Sequence, residues 1–303
     1  MQLLDVRDLE KRYPTFTLDK VSFSLEPGYI MGFIGRNGAG KTTTMKAMLN
    51  LIHRDGGEVF VNGRSFFENE RACKGEIGFV MGEFDCYRNA PLKVITDVTR
   101  RFYPTWDEGA YRKYLDRFAL VEEKKVKELS AGMRVKYALA LALSHNARLL
   151  ILDEPTSGLD PVSRDDLLDV FRDLIEDGSR SILFSTHIIS DLEKCADYIT
   201  YIKGGKILAS TDVISFRESY RLVSGDREHL EVRRPKLIGC KEHAFGFTGL
   251  IRAEDEAAFQ SCKIAPADLE SNLTFLHIYF IIMPVINLAV VLGSSGTNEG
   301  HIF

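Results

Sequence analysis

The chain of 303 residues lacks the sequence features of several protein classes. It has no long block of Lys or Arg and a formal net charge of -4, so no extended basic surface and no nucleic-acid partner are expected. Residues 1–13 lack the charged start, apolar core and cleavage site of a secretory signal. No internal repeat or low-complexity tract is present, which argues against repeat and fibrous architectures.

Cysteine is scarce, and its positions are widely spaced. No C-x-x-C pair occurs, and no pair of cysteines combines with a pair of histidines in the pattern of a zinc site. We therefore expect reduced, mostly buried thiols in a cytosolic protein rather than a metal or disulfide site. The cysteines are Cys73, Cys86, Cys195, Cys240 and Cys262.

Strand-like and helix-like segments alternate over most of the chain. Short strands occupy the first 34 residues and end in the apolar run YIMGFIG. The apolar runs LLIL and SILFS are typical of parallel strands buried on both faces. Helices are predicted after Gly40, after Ser130 and from Pro161. This alternation predicts an α/β fold with a mainly parallel sheet.

The alternation weakens beyond about Tyr220, which suggests a second, smaller unit. The polar stretch 224–228 is typical of a linker, and two strand-like runs follow, EVRRPKLIGC and AFGFTGLI. We predict a main domain over residues 1–223, a small accessory α+β region over 224–270, and an apolar tail of uncertain status over 271–303.

A glycine-rich segment fits the phosphate-loop pattern G-x-x-x-x-G-K-[ST] between a predicted strand and a predicted helix. Its backbone N–H groups and the helix N-terminus can bind phosphate, the lysine can reach the β- and γ-phosphates, and the threonine hydroxyl can ligate Mg²⁺. The alternative is a glycine-rich turn that only connects strand and helix. The candidate nucleotide-binding residues here are Gly35, Asn37, Gly38, Ala39, Gly40, Lys41, Thr42 and Thr43.

The sequence LLILDEP predicts a second part of the same site. Asp153 and Glu154 follow a buried strand, and ligands of open α/β sheets collect at the carboxyl ends of strands. Asp153 is expected to hold Mg²⁺, and Glu154 to activate the attacking water as general base. Two adjacent acids also occur as helix caps or solvated turns, and only the upstream phosphate loop favours the catalytic interpretation.

Further motifs, at matching order and spacing, resemble the ABC ATPase family. Residues 129–133, LSAGM, are similar to its signature sequence; residues 157–160, SGLD, to its D-loop; and residues 185–187, STH, to its switch histidine. The resemblance implies a P-loop NTPase fold with an antiparallel N-terminal subdomain, a helical signature subdomain and a small C-terminal region. His187 would then contact the γ-phosphate, although a lone histidine after a strand is often only a satisfied polar group. Tyr13 would stack on adenine, or else pack at a strand end.

The resemblance also implies how the chain works. ATP and Mg²⁺ would lie between the phosphate loop of one subunit and Ser130, Gly132 and Asp160 of the other, in a homodimer or heterodimer. The segments FYPTWD and ILFSTHIISDLEKCADYI resemble the bacitracin- and lantibiotic-type exporter branch. The implied function is an ATPase that powers export through a separate membrane-spanning permease at the cytoplasmic face of the membrane. The alternative is a non-transport ABC ATPase acting on ribosome or DNA.

The sequence departs from the family pattern at two places in its motifs. Ala131 replaces a glycine and Met133 a glutamine of the signature, without removing Ser130 or Gly132. Gly82 stands where the family commonly has a glutamine that senses Mg²⁺ and the membrane domain. Glu83, as a further metal ligand, or Asp85 could substitute for it; an acidic surface loop is the alternative.

The segment from Leu273 to Leu292 is also unusual for the family, because it has no Asp, Glu, Lys or Arg over 20 residues. This is about the length that crosses a hydrocarbon core. Three interpretations stay open: a single C-terminal membrane anchor, a buried helix or amphipathic dimer element, or a tail of unrelated origin such as a shifted reading frame. His277, Pro284 and Asn287 weaken the first.

Overall fold

The structure is a computed structural model, which describes residues 2–81, 87–226 and 230–274. The chain divides into two compact units, Met1–Asp212 and Val213–Phe303. The sequence placed this boundary at residue 223. The difference arises because residues 220–225 form a strand of the second unit's sheet, paired with two later strands.

The first unit alternates strands and helices as the hydrophobic pattern predicted. Its strands are β1 (Leu4–Tyr13), β2 (Phe16–Leu25), β3 (Ile30–Ile34), β4 (Gly56–Val61), β5 (Arg64–Ser65), β6 (Ile77–Met81), β7 (Leu149–Asp153), β8 (Ser181–Thr186), β9 (Tyr198–Lys203) and β10 (Lys206–Asp212). Its helices are α1 (Lys41–Met48), α2 (Glu70–Gly75), α3 (Leu92–Thr99), α4 (Glu108–Arg117), α5 (Ala131–Ser144), α6 (Pro161–Ile175) and α7 (Ile189–Cys195), with 3₁₀ turns at Arg100–Phe102 and Val126–Glu128.

The main sheet of this unit has the strand order β10-β9-β3-β8-β7-β6, and all pairs except β10-β9 are parallel. A second sheet, β2-β1-β4-β5, is antiparallel throughout. The predicted α/β fold with a mainly parallel sheet and an antiparallel N-terminal subdomain is therefore confirmed. Since β3, β8 and β7 are neighbours, the loops that follow them begin at the same edge of the sheet.

The core lies on both faces of the parallel sheet, which explains the continuous apolar runs. On one face, Phe33, Ile151 and Leu183 belong to a cluster with residues of the antiparallel sheet and of α1. On the other face, helices cover the alternate side chains of the same strands. There the rings of Phe171 in α6 and Phe184 in β8 lie 5.8 Å apart, centroid to centroid.

The second unit has an antiparallel sheet with the strand order β12-β13-β11-β14. Its elements are α8 (Val213–Glu218), β11 (Tyr220–Gly225), α9 (Leu230–Arg233), β12 (Cys240–His243), β13 (Gly246–Arg252) and β14 (Lys263–Pro266), with 3₁₀ segments at Arg234–Lys236 and Ala253–Phe259. Residues 269–274 are helical as well. Its core consists of Val223, Leu230, Leu237, Phe247, Ile251 and Phe259.

Two predictions for this second unit were wrong. Ser224 and Gly225, expected in a linker, complete β11. The first half of EVRRPKLIGC, expected as a strand, is helical from Leu230 to Lys236. The core takes up Leu230 and Leu237, which are seven residues apart and so fit a helical period. Pro235, which has no N–H for a sheet ladder, lies in the 3₁₀ turn.

Candidate functional site

The phosphate loop connects β3 to α1, as the sequence predicted. Gly38 and Gly40 have φ angles of 79° and 115°, which side-chain-bearing residues rarely adopt. A Cβ on Gly40 would also lie within 3 Å of side-chain atoms of Leu18 and Phe16. The loop turns back on itself, with the N–H of Ala39 donating to the carbonyl of Arg36 at 3.0 Å. The N-terminus of α1 is thus presented at the loop, where it favours an anion.

Lys41 is the first residue of α1, and its side chain is only 5% exposed. Its Nζ donates to the carbonyl oxygens of Gly35 at 2.7 Å and Arg36 at 3.3 Å. The same Nζ lies 3.0 Å from Oε1 of Glu154. The ammonium group is therefore held across the mouth of the loop, where a phosphate oxygen would compete with Glu154 for it.

Thr42 and Asp153 meet beside Lys41. The Thr42 hydroxyl donates to Oδ2 of Asp153 at 2.8 Å, and Ser185 Oγ donates to Oδ1 at 2.6 Å. The two oxygens of Thr42 and Asp153 fit Mg²⁺, because cis ligands of an octahedral ion with 2.0–2.1 Å bonds lie about 2.9 Å apart. Mg²⁺ commonly takes one or two protein oxygens and completes its shell with water and substrate phosphate.

Glu154 lies between the phosphate loop and His187. Its Oε1 contacts Lys41, and its Oε2 lies 2.8 Å from Nδ1 of His187. Its φ of 52° is unusual for a side-chain-bearing residue, and its backbone N–H donates to Ser185 Oγ at 2.9 Å. Such strained backbone is often found at functional sites. Ser185 thus holds both acids, and this role was not foreseen from the sequence.

An open cavity of about 610 Å³ lies over these groups. Its walls include most of the predicted phosphate-loop residues together with Glu154 and His187, so the structure brings the two predicted halves together. The sequence reasoning missed Thr15, Phe16, Arg36 and Ser157 as lining residues. The lining residues are Thr15, Phe16, Arg36, Asn37, Gly38, Gly40, Lys41, Thr42, Thr43, Glu154, Ser157 and His187.

Tyr13 does not line this cavity, although it is the cross-strand partner of Phe16, which does. Tyr13 is 42% exposed, and Nζ of Lys11 lies 5.3 Å from its ring centroid. The aromatic content of the β1–β2 turn was the signal available in the sequence. It indicated the right hairpin without deciding which ring faces the cavity.

The predicted signature residues lie outside the cavity lining. Ser130 caps α5, and its side chain accepts from the N–H of Met133 at 3.2 Å. Gly132 is buried in the first turn of α5, near side chains of Leu159 and Ser163. Asp160 caps α6 by accepting from the N–H groups of Val162 and Ser163. The side chain of Ser163, followed by these N–H groups, holds the pKa of Asp160 below its usual range.

Several predictions fall outside the described residues. They are the departure at Gly82, its substitutes Glu83 and Asp85, the thiol Cys86, and all but the first two residues of the segment Leu273–Leu292. Within the described ranges, Cys73, Cys195, Cys240 and Cys262 are free thiols. The same ranges contain no group of three or more metal-ligand side chains of His, Cys, Asp or Glu. They also contain no helix long and apolar enough to cross a membrane.

A phosphate loop on a parallel sheet, with two acids and a histidine facing it, defines a P-loop nucleotide-binding protein. Residues 18–157 match the sequence profile of a family described as ABC transporter. The bacitracin transport ATP-binding protein BcrA of Bacillus licheniformis is 32% identical over 209 residues, 68% of each chain. The chain therefore belongs to the family of ABC transporter ATP-binding proteins.

Further comparisons agree with this family. The ABC transporter ATP-binding protein YtrB of Bacillus subtilis (strain 168) is 28% identical over 258 residues, which are 84% of this chain and 88% of the relative. The solved structure of an ATP-binding subunit of an ABC transporter is 26% identical, with a TM-score of 0.64 over 71% of this chain and 92% of the other. The chain is an ATP-binding, ATP-hydrolysing subunit of an ABC transporter of the bacitracin-type branch, and the ribosome or DNA alternative is not supported.

Proposed function

We propose that the chain is one half of an ATPase dimer that powers export through a separate membrane-spanning permease. ATP is bound between the phosphate loop of one subunit and Ser130, Gly132 and Asp160 of the other. Hydrolysis removes the γ-phosphate contacts and the dimer loosens. The observation that carries this proposal is that Glu154 contacts both Lys41 of the phosphate loop and His187 at the same cavity.

Lys41 and the backbone of the phosphate loop hold the phosphates in this mechanism. With Nζ fixed by two carbonyl oxygens, the charge of Lys41 is preorganised for the β- and γ-phosphate oxygens. Thr42 and Asp153 would hold Mg²⁺, which neutralises charge on the β- and γ-phosphate oxygens when bound. Glu83 is proposed as a further ligand from the sequence alone.

Glu154 acts as the general base and takes the proton from the attacking water. Its carboxylate already lies within hydrogen-bond reach of both Lys41 and His187, which orient it at the cavity wall. His187 lines the same cavity, where its ring can contact the γ-phosphate. Tyr13 is proposed to stack on adenine together with Phe16 of the same hairpin, whose ring lines the cavity.

In the proposed dimer, the signature residues of one subunit complete the cavity of the other. The Ser130 side chain is exposed at the N-terminus of α5, a helix of 14 residues. The first N–H groups of this helix and the partial positive charge of its N-terminus suit a γ-phosphate presented by a second subunit. That subunit is a second copy or a related chain.

The export direction is supported by the branch to which the relatives belong, since BcrA is named for bacitracin transport. The permease chooses the transported substrate in such a system. We place the subunit at the cytoplasmic face of the membrane, where the permease holds it. A C-terminal anchor in the segment Leu273–Leu292 stays one of three proposals for that segment.

Glu154→Gln tests the proposed mechanism. The amide keeps the shape and still accepts from Lys41, so ATP binding should be unchanged. Turnover should fall by about 10²–10⁴-fold, because the general base is lost. Size-exclusion chromatography with ATP should show a trapped dimer.

The matched control is Glu193→Gln, an exposed acid on α7, which should leave turnover and elution volume unchanged. Normal turnover by the Glu154 variant would refute its role as base. Loss of turnover without an ATP-dependent dimer would refute the sandwich arrangement.

A further inference from the structure

One buried carboxylate connects the segments that carry the catalytic groups. Asp191 lies in the first turn of α7 and is 0% exposed. Its Oδ2 accepts from the Thr156 hydroxyl at 2.6 Å and from the Thr186 hydroxyl at 3.4 Å. Thr156 belongs to the loop after β7, and Thr186 is the last residue of β8. Asp191 therefore joins the ends of two neighbouring strands.

These contacts lie next to Glu154 and His187 in the chain. Thr156 follows Glu154 by two residues, and Thr186 directly precedes His187. The Thr186 hydroxyl also accepts from the N–H of Ile188 at 2.9 Å, so the backbone on both sides of His187 is held. A shift of Asp191 would be passed to both members of the Glu154–His187 pair.

Arg164 extends the connection to the segment that precedes α6. Its Nε lies 3.9 Å from Oδ1 of Asp191, and its Nη2 donates to the carbonyl of Leu159 at 3.4 Å. Leu159 lies between Ser157, which lines the cavity, and Asp160, which caps α6. Asp191 thus contacts, directly or through one residue, each of the segments that follow β7 and β8.

Stability alone does not account for an ionisable group at this place. Among the described residues, Oδ1 of Asp191 and Nε of Arg164 have no hydrogen-bond partner although both are buried. Burial raises the pKa of Asp191 despite its hydroxyl and arginine partners. Apolar residues of similar volume often stabilise such positions as well or better. A role in positioning the neighbouring segments explains why a carboxylate occupies this buried site, whereas a role in stability does not.

We propose that Asp191 is a positioning residue for ATP hydrolysis, which fixes Glu154 and His187 relative to each other through Thr156 and Thr186. The inference rests on the proposed roles of Glu154 and His187. It concerns the chemical step and not nucleotide affinity, because the Lys41 ammonium contacts Gly35, Arg36 and Glu154 rather than Asp191.

The Thr156 hydroxyl offers the cleanest test. Thr156→Val removes the donor and keeps the shape of a fully buried side chain, whereas Thr156→Ser keeps the donor. The valine variant should lose roughly tenfold or more in kcat, because small displacements of catalytic groups are costly. Its KM for ATP and its Kd for a fluorescent ATP analogue should stay within about twofold. The serine variant should retain at least about half of the wild-type kcat.

A second pair of variants addresses Asp191 itself. Asp191→Ala removes both acceptors and should lower kcat more than Thr156→Val, while Asp191→Asn keeps one acceptor oxygen and should lower it less. Asp169→Asn, an exposed acid of α6 paired with Arg172, is the matched control and should leave kcat unchanged. Melting temperature and binding of the ATP analogue verify that each variant is folded.

The outcomes separate this inference from the proposed function. If Asp191→Ala does not fold, the comparison of Thr156→Val with Thr156→Ser decides whether Asp191 has the positioning role. Wild-type kcat in Thr156→Val, or equal losses in the valine and serine variants with a raised KM, would overturn the positioning role. Normal turnover in Glu154→Gln would instead overturn the proposed function, whatever the Asp191 variants do.

Discussion

The phosphate-loop region and the signature region of the first unit are built in different ways. Around the phosphate loop, side-chain contacts join Lys41 to Glu154 and Thr42 to Asp153, and Ser185 adds a further hydrogen bond to Asp153. In the signature region, Ser130 Oγ caps α5 at an exposed site by accepting from the N–H of Met133. One region is held by a polar network, and the other presents a helix terminus.

This difference shows what a single chain can provide. The phosphate-loop region is organised by three neighbouring parallel strands, so its geometry is fixed within the fold. The signature residues Ser130 and Gly132 lie outside the cavity lining, at the N-terminus of α5. We infer that the second region is completed by another subunit, and the following predictions test this comparison.

The largest effect is expected when each region is disabled separately. Lys41→Ala removes the preorganised cation, and Ser130→Glu places a carboxylate where the γ-phosphate of a partner should bind. Each variant alone should lose more than about 100-fold in turnover, since preorganised electrostatics supply much of catalysis.

Mixing the two inactive variants should restore activity. Half of the random dimers pair one variant with the other, and each such dimer has one intact site, so about a quarter of wild-type turnover should return. Mixing Lys41→Ala with Glu154→Gln is the control and should restore nothing, because both changes affect the phosphate-loop region. No recovery in the first mixture would contradict the division of the site between two copies of this chain.

An intermediate effect is expected at the β1–β2 turn. Phe16→Ala should raise the KM for ATP about tenfold, because its ring lines the cavity and base stacking is worth about 1–3 kcal/mol. Tyr13→Ala should raise it by roughly threefold, since Tyr13 lies at the turn but outside the lining. Steady-state kinetics with ATP and inorganic triphosphate measure this, because only ATP carries the base. A larger effect at Tyr13 would assign the stacking to that ring alone.

The smallest effects concern the melting temperature. It should fall when the helix cap of the signature region is removed, and it should not fall when Asp191 loses its charge. Ser130→Ala removes a helix cap and should cost about 1 kcal/mol, which lowers Tm by about 2–4 °C. Asp191→Asn should leave Tm at pH 7–8 at least as high as in the wild type. The physical reason is that burial raises the pKa of Asp191, so its charged form is unfavourable in the folded state.

The pH dependence of the melting temperature shows whether the charge of Asp191 stabilises or destabilises the folded protein. A carboxyl whose folded pKa is raised contributes stability that is fully present below its unfolded pKa, about 3.9, and is lost as the pH rises through the folded pKa. The difference in Tm between Asp191→Asn and wild type should therefore be largest at pH 7–8 and shrink toward pH 4. A lower Tm for Asp191→Asn at pH 8 would indicate that the charge is stabilising.

Local patterns in the sequence anticipated much of the fold and half of the site. The alternation of apolar runs with helical periods was sufficient for the parallel sheet, and Gly35–Thr42 was sufficient for the phosphate loop. Ser185 had been noticed only as a neighbour of His187, yet it bonds both Asp153 and Glu154. Asp191 was missed, because a single acid in a helix carries no sign of which strand ends it will contact.

The second unit was the least predictable part, for a related reason. Residues 220–225 form a strand because partners lie 22 or more residues later in the chain, and no local signal marks that pairing. The run EVRRPKLIGC was assigned by composition, whereas its helical first half follows from burying Leu230 and Leu237 in one core.

The sequence by itself determined the phosphate loop, the two acids after LLIL and the family, because these depend on residue identity over short spacings. Only the tertiary structure decided that Glu154 contacts both Lys41 and His187, that Phe16 lines the cavity, and that Asp191 bonds to Thr156 and Thr186. Those arrangements depend on strand order and register, which place residues more than 100 positions apart within one hydrogen bond, as for Thr42 and Asp153.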